Sequence, residues 1–266
     1  MIHYSIYQAR SKGKASKRTI NVHCRAESTL YNLAFLLYNG YYFSLGGGGV
    51  LDVGEALRYL GASGADEELR RRTQAAAQEM ERRFQPHYTY RISAVEHRDE
   101  GEWLADVQLL LPGASARKML GECGHAALLV CTLGLTFEQH LRETQARDMA
   151  RAVLLDALGS VMVEAGCDRA QEEIAARFPE KHLTDRFSPG YGDLPLTLQP
   201  EICRITDSRR RLGVYVTETC LLNPQKSVTA VIGLADQPQR ARIRGCGHCA
   251  MRNTCELRKG GHSCDD

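Results

Sequence analysis

The chain predicts an α+β fold, and three features of its 266 residues carry that prediction. Two stretches, 66–84 and 143–178, place apolar residues every three to four positions, the spacing of helices with one buried face. Three others, 88–94, 103–111 and 228–234, alternate apolar with polar, the spacing of strands. The two kinds of element do not follow strict strand–helix–strand order, so the sheet is expected to be antiparallel or mixed, with helices flanking it.

Composition narrows the class. With 43% hydrophobic and 25% charged residues, the chain can bury one sizeable core, and a formal charge of +2 selects neither acidic nor basic partners. The longest apolar stretch, 33–45, is interrupted by Asn39 and Gly40 and falls short of the roughly 18 residues a membrane span needs. Ten cysteines without a convincing secretory signal point to a reducing compartment, and the expected location is cytoplasmic.

Taken in order, residues 1–49 join a basic run (Arg10, Lys12, Lys14, Lys17, Arg18) to an aromatic-apolar segment and four glycines, and read as a disordered or non-native tail. No Lys-Ser/Thr pair follows the glycines, so they do not form a phosphate loop. Residues 66–84 present Leu69, Ala76, Met80 and Phe84 to a core, while Arg70, Arg71, Arg72, Arg82 and Arg83 form a solvated face. Residues 88–94 and 103–111 read as a hairpin. Residues 126–133 are a short apolar run compatible with a buried strand. A long helix is expected over 143–178 with a break near Gly166; Val153, Leu154, Leu158, Val161, Met162 and Ala165 form its core stripe. Glu164 lies at the stripe's edge, where a carboxylate is either solvated or aimed into a cleft. In the last third, Leu212, Val214 and Val216 face one way and Tyr215, Thr217 and Thr219 the other; "LLNPQKS" turns, and Val228, Ala230, Ile232 and Leu234 repeat the alternation.

Two stretches suggest chemistry. In "RFSPGYGDLP", Pro189 pre-sets φ and Gly190 permits a close backbone approach, so the loop is stiff and can turn its peptide groups toward a ligand. Arg186 can fork onto a carboxylate, and Tyr191 offers a flat face and a hydroxyl. From the residues alone, a rigid turn tied by its arginine to a carbonyl accounts for the same pattern. In "CGHCAMRNTCELRKGGHSC", Cys246, Cys249, Cys255 and Cys264 are spaced C-x2-C-x5-C-x8-C, which suits an iron-sulfur cluster, zinc or unligated thiols. His248 and His262 are substitute zinc ligands. Cys123, Cys131, Cys167, Cys203 and Cys220 lie in apolar or strand-like settings and read as packing residues; His125 reads as a core or turn histidine. Arg242, Arg244, Arg252, Arg258 and Lys259 around the cysteines leave a metal-binding adaptor or a nucleic-acid binder as the alternative class, although aromatics are not interleaved with these charges.

"LTDRFSPGYGDLPLTLQPEI" followed by "LGVYVTETCLLNPQKSVTAVIGL" resembles the activation domain of cobalamin-dependent methionine synthase, in its short free-standing form. The matched positions are Arg186, Pro189, Gly190 and Tyr191, then Thr217, Glu218, Pro224, Ser227 and Val228. In "LLDALGSVMVEAG", Glu164 takes the family's recurring acidic position. The likeness covers about residues 50–234, which sets expected boundaries of 50–240 for the activation-like domain and 241–266 for the Cys-rich tail.

The resemblance implies a C-shaped α+β domain that binds S-adenosylmethionine beside the Arg-x-x-Pro-Gly-Tyr loop, with Arg186, Pro189, Gly190, Tyr191, Glu164 and Glu218 as expected binding residues. It also implies a role in reductive remethylation of cobalamin, with an electron arriving from a donor protein. The chain lacks the Asp-x-His-x-x-Gly loop that supplies a cobalt ligand, so the cobalamin is expected on a partner methionine synthase or corrinoid protein. It also lacks the Cys-x3-Cys-x2-Cys signature of radical S-adenosylmethionine enzymes. Gly192-Asp193 replaces the family's usual Pro-Ala, which implies a more mobile loop and an added negative charge near a sulfonium ligand.

Overall fold

The computed structural model describes residues 51–62 and 64–239. The expected tails over 1–49 and 241–266, with all four clustered cysteines, lie outside the described residues. Seven helices and eight strands occur among the described residues: α1 (Val53–Tyr59), α2 (Glu67–Arg83), β1 (His87–Arg98), β2 (Gly101–Leu104), β3 (Leu109–Pro112), α3 (Ala114–Leu120), β4 (Cys123–Thr132), α4 (Gly134–Gln145), α5 (Met149–Arg177), β5 (His182–Leu183), α6 (Gln199–Ile205), α7 (Ser208–Leu212), β6 (Tyr215–Val216), β7 (Leu222–Asn223) and β8 (Ser227–Ala235). The fold is α+β, and the main sheet is an open one with strand order β3-β2-β1-β4-β8-β5. Every neighbouring pair in it is antiparallel, so the sheet is not mixed.

Local sequence starts the helices where they are seen. Asp52, Asp66 and Asp148 each accept a hydrogen bond from the backbone N–H three residues on, closing the first turns of α1, α2 and α5. The Asp148 cap corrects the expected single helix over 143–178. The break lies at 146–148, between α4 and α5, and α5 runs unbroken through Gly166. Gly166 serves packing instead: a Cβ built there would lie 2.5 Å from Cβ of Pro86 and 2.7 Å from Sγ of Cys131. Its missing side chain lets α5 sit directly on β4.

The hairpin is present, with Arg98 paired to Gly101 across its turn, but the expected second strand is split by a 3-10 turn at Ala105–Val107. The 212–219 strand is also shorter than its alternation suggested. Leu212 ends α7, Val214 is a buried coil residue, and only Tyr215 and Val216 pair, with Leu222 and Asn223. β4 and β8 are buried along most of their length because both faces of the sheet are covered. Ala126, Leu128 and Val130 join Met119, Leu120, Ile202 and Val214 in one core cluster. By the two-residue period, Ala127, Leu129 and Cys131 face the other way, where Sγ of Cys131 approaches the Val163 carbonyl of α5 at 3.6 Å. The α5 stripe is as expected at Leu154, Leu158, Val161 and Met162, whereas Val153 is 48% exposed and faces away from the core.

Gly166→Ala is expected to lower unfolding free energy by about 1–3 kcal/mol through overpacking against Pro86 and Cys131. Gly124→Ala, where an added Cβ meets nothing within 4 Å, is the control and should stay within about 0.5 kcal/mol. Chemical denaturation of both variants measures the difference.

Candidate functional site

Arg186 is positioned by the sheet. The next residue, Phe187, exchanges two backbone hydrogen bonds with Val231 of β8, at 3.1 and 2.8 Å, beyond the two-residue strand β5. Phe187 is buried in the cluster with Met119 and Leu120, so the alternation of side chains sends Arg186 to the opposite face, toward α5. There Glu164, Asp168 and Gln171, spaced four and three residues apart, line one face of the helix.

The guanidinium is already engaged. Nη1 donates to Oδ1 of Asp168 at 2.5 Å and to Oε1 of Gln171 at 3.0 Å, and Nη2 donates to Oε2 of Glu164 at 3.1 Å. The arginine side chain is 14% exposed, against 45% for Glu164 and 63% for Asp168. Burial opposes its charge, but the Asp168 hydrogen bond and the surrounding negative charges outweigh burial and hold its pKa above the ordinary value. Glu164 therefore neither stands free at a rim nor points away from the loop: it meets Arg186. The arginine is tied to two carboxylates and a side-chain amide oxygen rather than to a backbone carbonyl. Three of its five donor hydrogens are taken by these residues, which leaves Nε–H and one Nη2–H for a further acceptor.

The Pro189–Gly190–Tyr191 turn follows at once. Gly190 has φ +94° and donates to the Leu194 carbonyl at 2.8 Å, Tyr191 donates to the Ser188 carbonyl at 3.1 Å, and Leu194 donates back to Tyr191 at 3.0 Å. Pro189 is buried and Tyr191 is 63% exposed, so the turn is anchored from below and shows its ring to solvent. Asp193 corrects an expectation. Its carboxylate accepts from the backbone N–H groups of Ala114 at 2.6 Å and Ser115 at 2.9 Å, at the start of α3. Hydrogen bonds from Ser115 lead the causes that hold its pKa below the usual carboxylate value. The Gly192-Asp193 step thus pins the loop to α3, and its charge is committed to that helix.

Glu218 lies exposed in the turn between β6 and β7. No hydrogen bond or ion pair joins it to Arg186 or Glu164 among the described residues. Asp168 and Gln171, which hold Arg186 as closely as Glu164 does, escaped sequence reading. Their four-and-three spacing from Glu164 was the available signal. Cys123, Cys131, Cys167 and Cys203 are buried packing residues, whereas Cys220, expected in a strand-like setting, is half-buried in the β6–β7 turn with φ +61°. A hydrogen bond with Cys131 and burial raise the Cys167 thiol well above its usual pKa, and burial pushes Cys123 up to about 12. Burial also lowers the pKa of His125, which favours the neutral ring. Among the described residues no group of three or more His, Cys, Asp or Glu side chains could hold a metal ion, and no helix is long and apolar enough to cross a membrane.

No family model and no curated protein matches the sequence. Among solved structures, the chain is similar to the crystal structure of the MetH reactivation domain bound to AdoHcy, with a TM-score of 0.57 and 13% identity. The match covers 84% of this chain and 86% of that one. At that identity the likeness establishes the fold.

Because the carboxylate of Asp193 is held below its ordinary pKa, its contribution to stability is complete above about pH 4 and is lost as pH falls through the depressed value in the folded state. Asp193→Ala should cost about 1 kcal/mol at pH 7, the usual effect of a lost helix cap. The difference between Asp193→Ala and the parent should shrink as unfolding is followed into acid.

Proposed function

We propose that this chain binds S-adenosylmethionine at the Arg186 loop and supports reductive remethylation of cobalamin carried by a partner methionine synthase or related corrinoid protein. The observation that carries the reading is the held guanidinium of Arg186, with donor capacity to spare, three residues before a rigid Pro-Gly-Tyr turn. Its support is the shared fold with a reactivation domain solved with AdoHcy, together with the sequence motif at Arg186, Pro189, Gly190 and Tyr191.

In this reading the unclaimed edge of Arg186 donates to the carboxylate of the methionyl group. A fork pre-ordered by Glu164, Asp168 and Gln171 loses little freedom on binding. The carboxylates of Glu164 and Asp168 leave net negative charge beside Arg186, which suits the ammonium and sulfonium of the same ligand. Gly190 and Tyr191 supply backbone approach and a flat face. Glu218 is a lesser candidate contact, from the β6–β7 turn. The cobalt chemistry belongs to the partner: one-electron reduction of cob(II)alamin is trapped by transfer of the sulfonium methyl, leaving S-adenosylhomocysteine. The proposed domain division is an activation-like part over 50–240 followed by the Cys-rich tail over 241–266. The cysteine tail is proposed to hold a metal, either an iron-sulfur cluster that passes the electron or a zinc ion that folds the tail.

Calorimetric titration should show S-adenosylmethionine binding to the intact chain. Arg186→Ala should weaken it about 10- to 100-fold, the loss of one charge-assisted hydrogen-bonded pair, with an unchanged circular dichroism spectrum. Unchanged affinity would remove Arg186 from the site. Metal analysis of anaerobically purified protein should find iron with broad visible absorption, or zinc in colourless protein, and Cys246→Ala with Cys249→Ala should abolish it. Metal-free protein would end the metal assignment.

A further inference from the structure

A buried amide ties an exposed turn to the central sheet. Gln199, the first residue of α6, is 6% exposed, and Thr229 of β8 is 2% exposed. The Thr229 hydroxyl donates to Oε1 of Gln199 at 2.8 Å, and Nε2 of Gln199 donates to the Cys220 carbonyl at 2.5 Å. The order of these bonds is fixed by chemistry: a carbonyl only accepts, so the amide nitrogen faces Cys220 and the amide oxygen is left for the hydroxyl. A buried amide is costly unless both of its ends are paired. Both ends of this one are, and one of the two bonds reaches a turn at the surface.

That turn, 217–221, carries the exposed Glu218. Thr217 donates its N–H to the Leu221 carbonyl at 2.8 Å, Leu221 donates its N–H to Oγ1 of Thr217 at 3.1 Å, and Cys220 donates its N–H to the Thr217 carbonyl at 2.9 Å. Cys220 has φ +61°, a left-handed conformation that costs a residue with a Cβ and persists where its surroundings impose it. The flanking strands β6 and β7 have two residues each, a short ladder to hold such a turn, and the Gln199 amide adds a tie to the sheet.

The same strand anchors the Arg186 loop. Phe187 bridges to Val231, two residues beyond Thr229 and about 7 Å along β8. Gln199 also follows that loop closely: Leu194 pairs with Gly190 and Tyr191, and Cδ1 of Leu196 lies 3.3 Å from the place a Cβ on Gly190 would take. The 217–221 turn and the Arg186 loop are thus both referred to β8, one through the Gln199 side chain and the other through the Phe187 backbone. We propose that Gln199 is a positioning residue, whose amide holds the 217–221 turn in fixed register with the Arg186 loop so that Glu218 meets a ligand bound at Arg186. The inference rests on the function proposed above and concerns a residue that acts through the turn without touching the ligand.

The test titrates the full chain with S-adenosylmethionine in the parent and in Gln199→Met, Thr229→Val and Glu218→Gln, with unfolding midpoints to verify that each variant is folded. Methionine nearly keeps the size of the glutamine side chain but donates nothing to Cys220. Without ligand, amide hydrogen exchange in Gln199→Met is expected to speed up about tenfold or more at Cys220 and Leu221 and to stay unchanged at Gly190 and Leu194. Affinity is expected to fall about three- to tenfold in Gln199→Met and in Glu218→Gln, and combining the two should weaken binding little further, because both act on one contact. Thr229→Val, which frees the other end of the amide, should move exchange and affinity in the same direction, and it carries the comparison if Gln199→Met does not fold. A folded Gln199→Met that binds within about twofold of the parent overturns the positioning role and leaves the Arg186 reading intact, as does full additivity with Glu218→Gln or a Glu218→Gln that binds like the parent. A parent chain that binds no S-adenosylmethionine overturns both.

Discussion

The close approach of α5 to the central sheet is the constraint from which the rest of the structure follows. Gly166 admits Pro86 and Cys131 where any side chain would hold them off, and the Cys131 thiol fills the space against the Val163 carbonyl. Glu164, Asp168 and Gln171 can then reach a single guanidinium. A helix standing farther off would leave Arg186 with its charge half-buried and unpaired, which is costly.

The loop after Arg186 is held from two directions. The bridge between Phe187 and Val231 ties its start to β8, and the Asp193 carboxylate ties its end to the first turn of α3. Between these ties the chain turns through Pro189 and Gly190 with its own short hydrogen bonds and leaves Tyr191 in solvent. Such an arrangement divides the loop: the ends carry the packing, and the turn between them is ordered while its tyrosine stays exposed. Gly192 and Asp193 belong to the packed end. Gly192 lies where Ser115 comes within 2.3 Å of any Cβ, and Asp193 accepts from the first two backbone N–H groups of α3, those of Ala114 and Ser115.

Much of the fold was legible because its signals are local. The apolar spacing over 66–84 became α2, the alternation at 88–94 became the core of β1, and the apolar run at 126–133 became the central strand β4. Errors arose where a local signal had two physical causes. A glycine inside a helical stretch marks either a break or a close contact, and at Gly166 the contact won because Pro86 and Cys131 lie opposite. Val153 has the residue type of a core position but sits on an exposed face of α5. Alternation over 212–219 suggested a full strand; α7 claims Leu212, and the turn at Thr217 closes on Leu221.

The sequence by itself determined the fold class, the elements with strong periodicity and the residues of the Arg186 loop, because these depend on side-chain type and on spacing within a few positions. It could not determine what Arg186 touches. Asp168 and Gln171 lie 18 and 15 residues away along the chain, and their approach depends on how α5 seats on β4 and on where β5 pairs with β8. Only the tertiary structure decided that the arginine's nearest carboxylates are the protein's own and that Asp193 accepts from the first turn of α3. Each of these is a relation between segments distant in sequence, and packing is what brings such segments together.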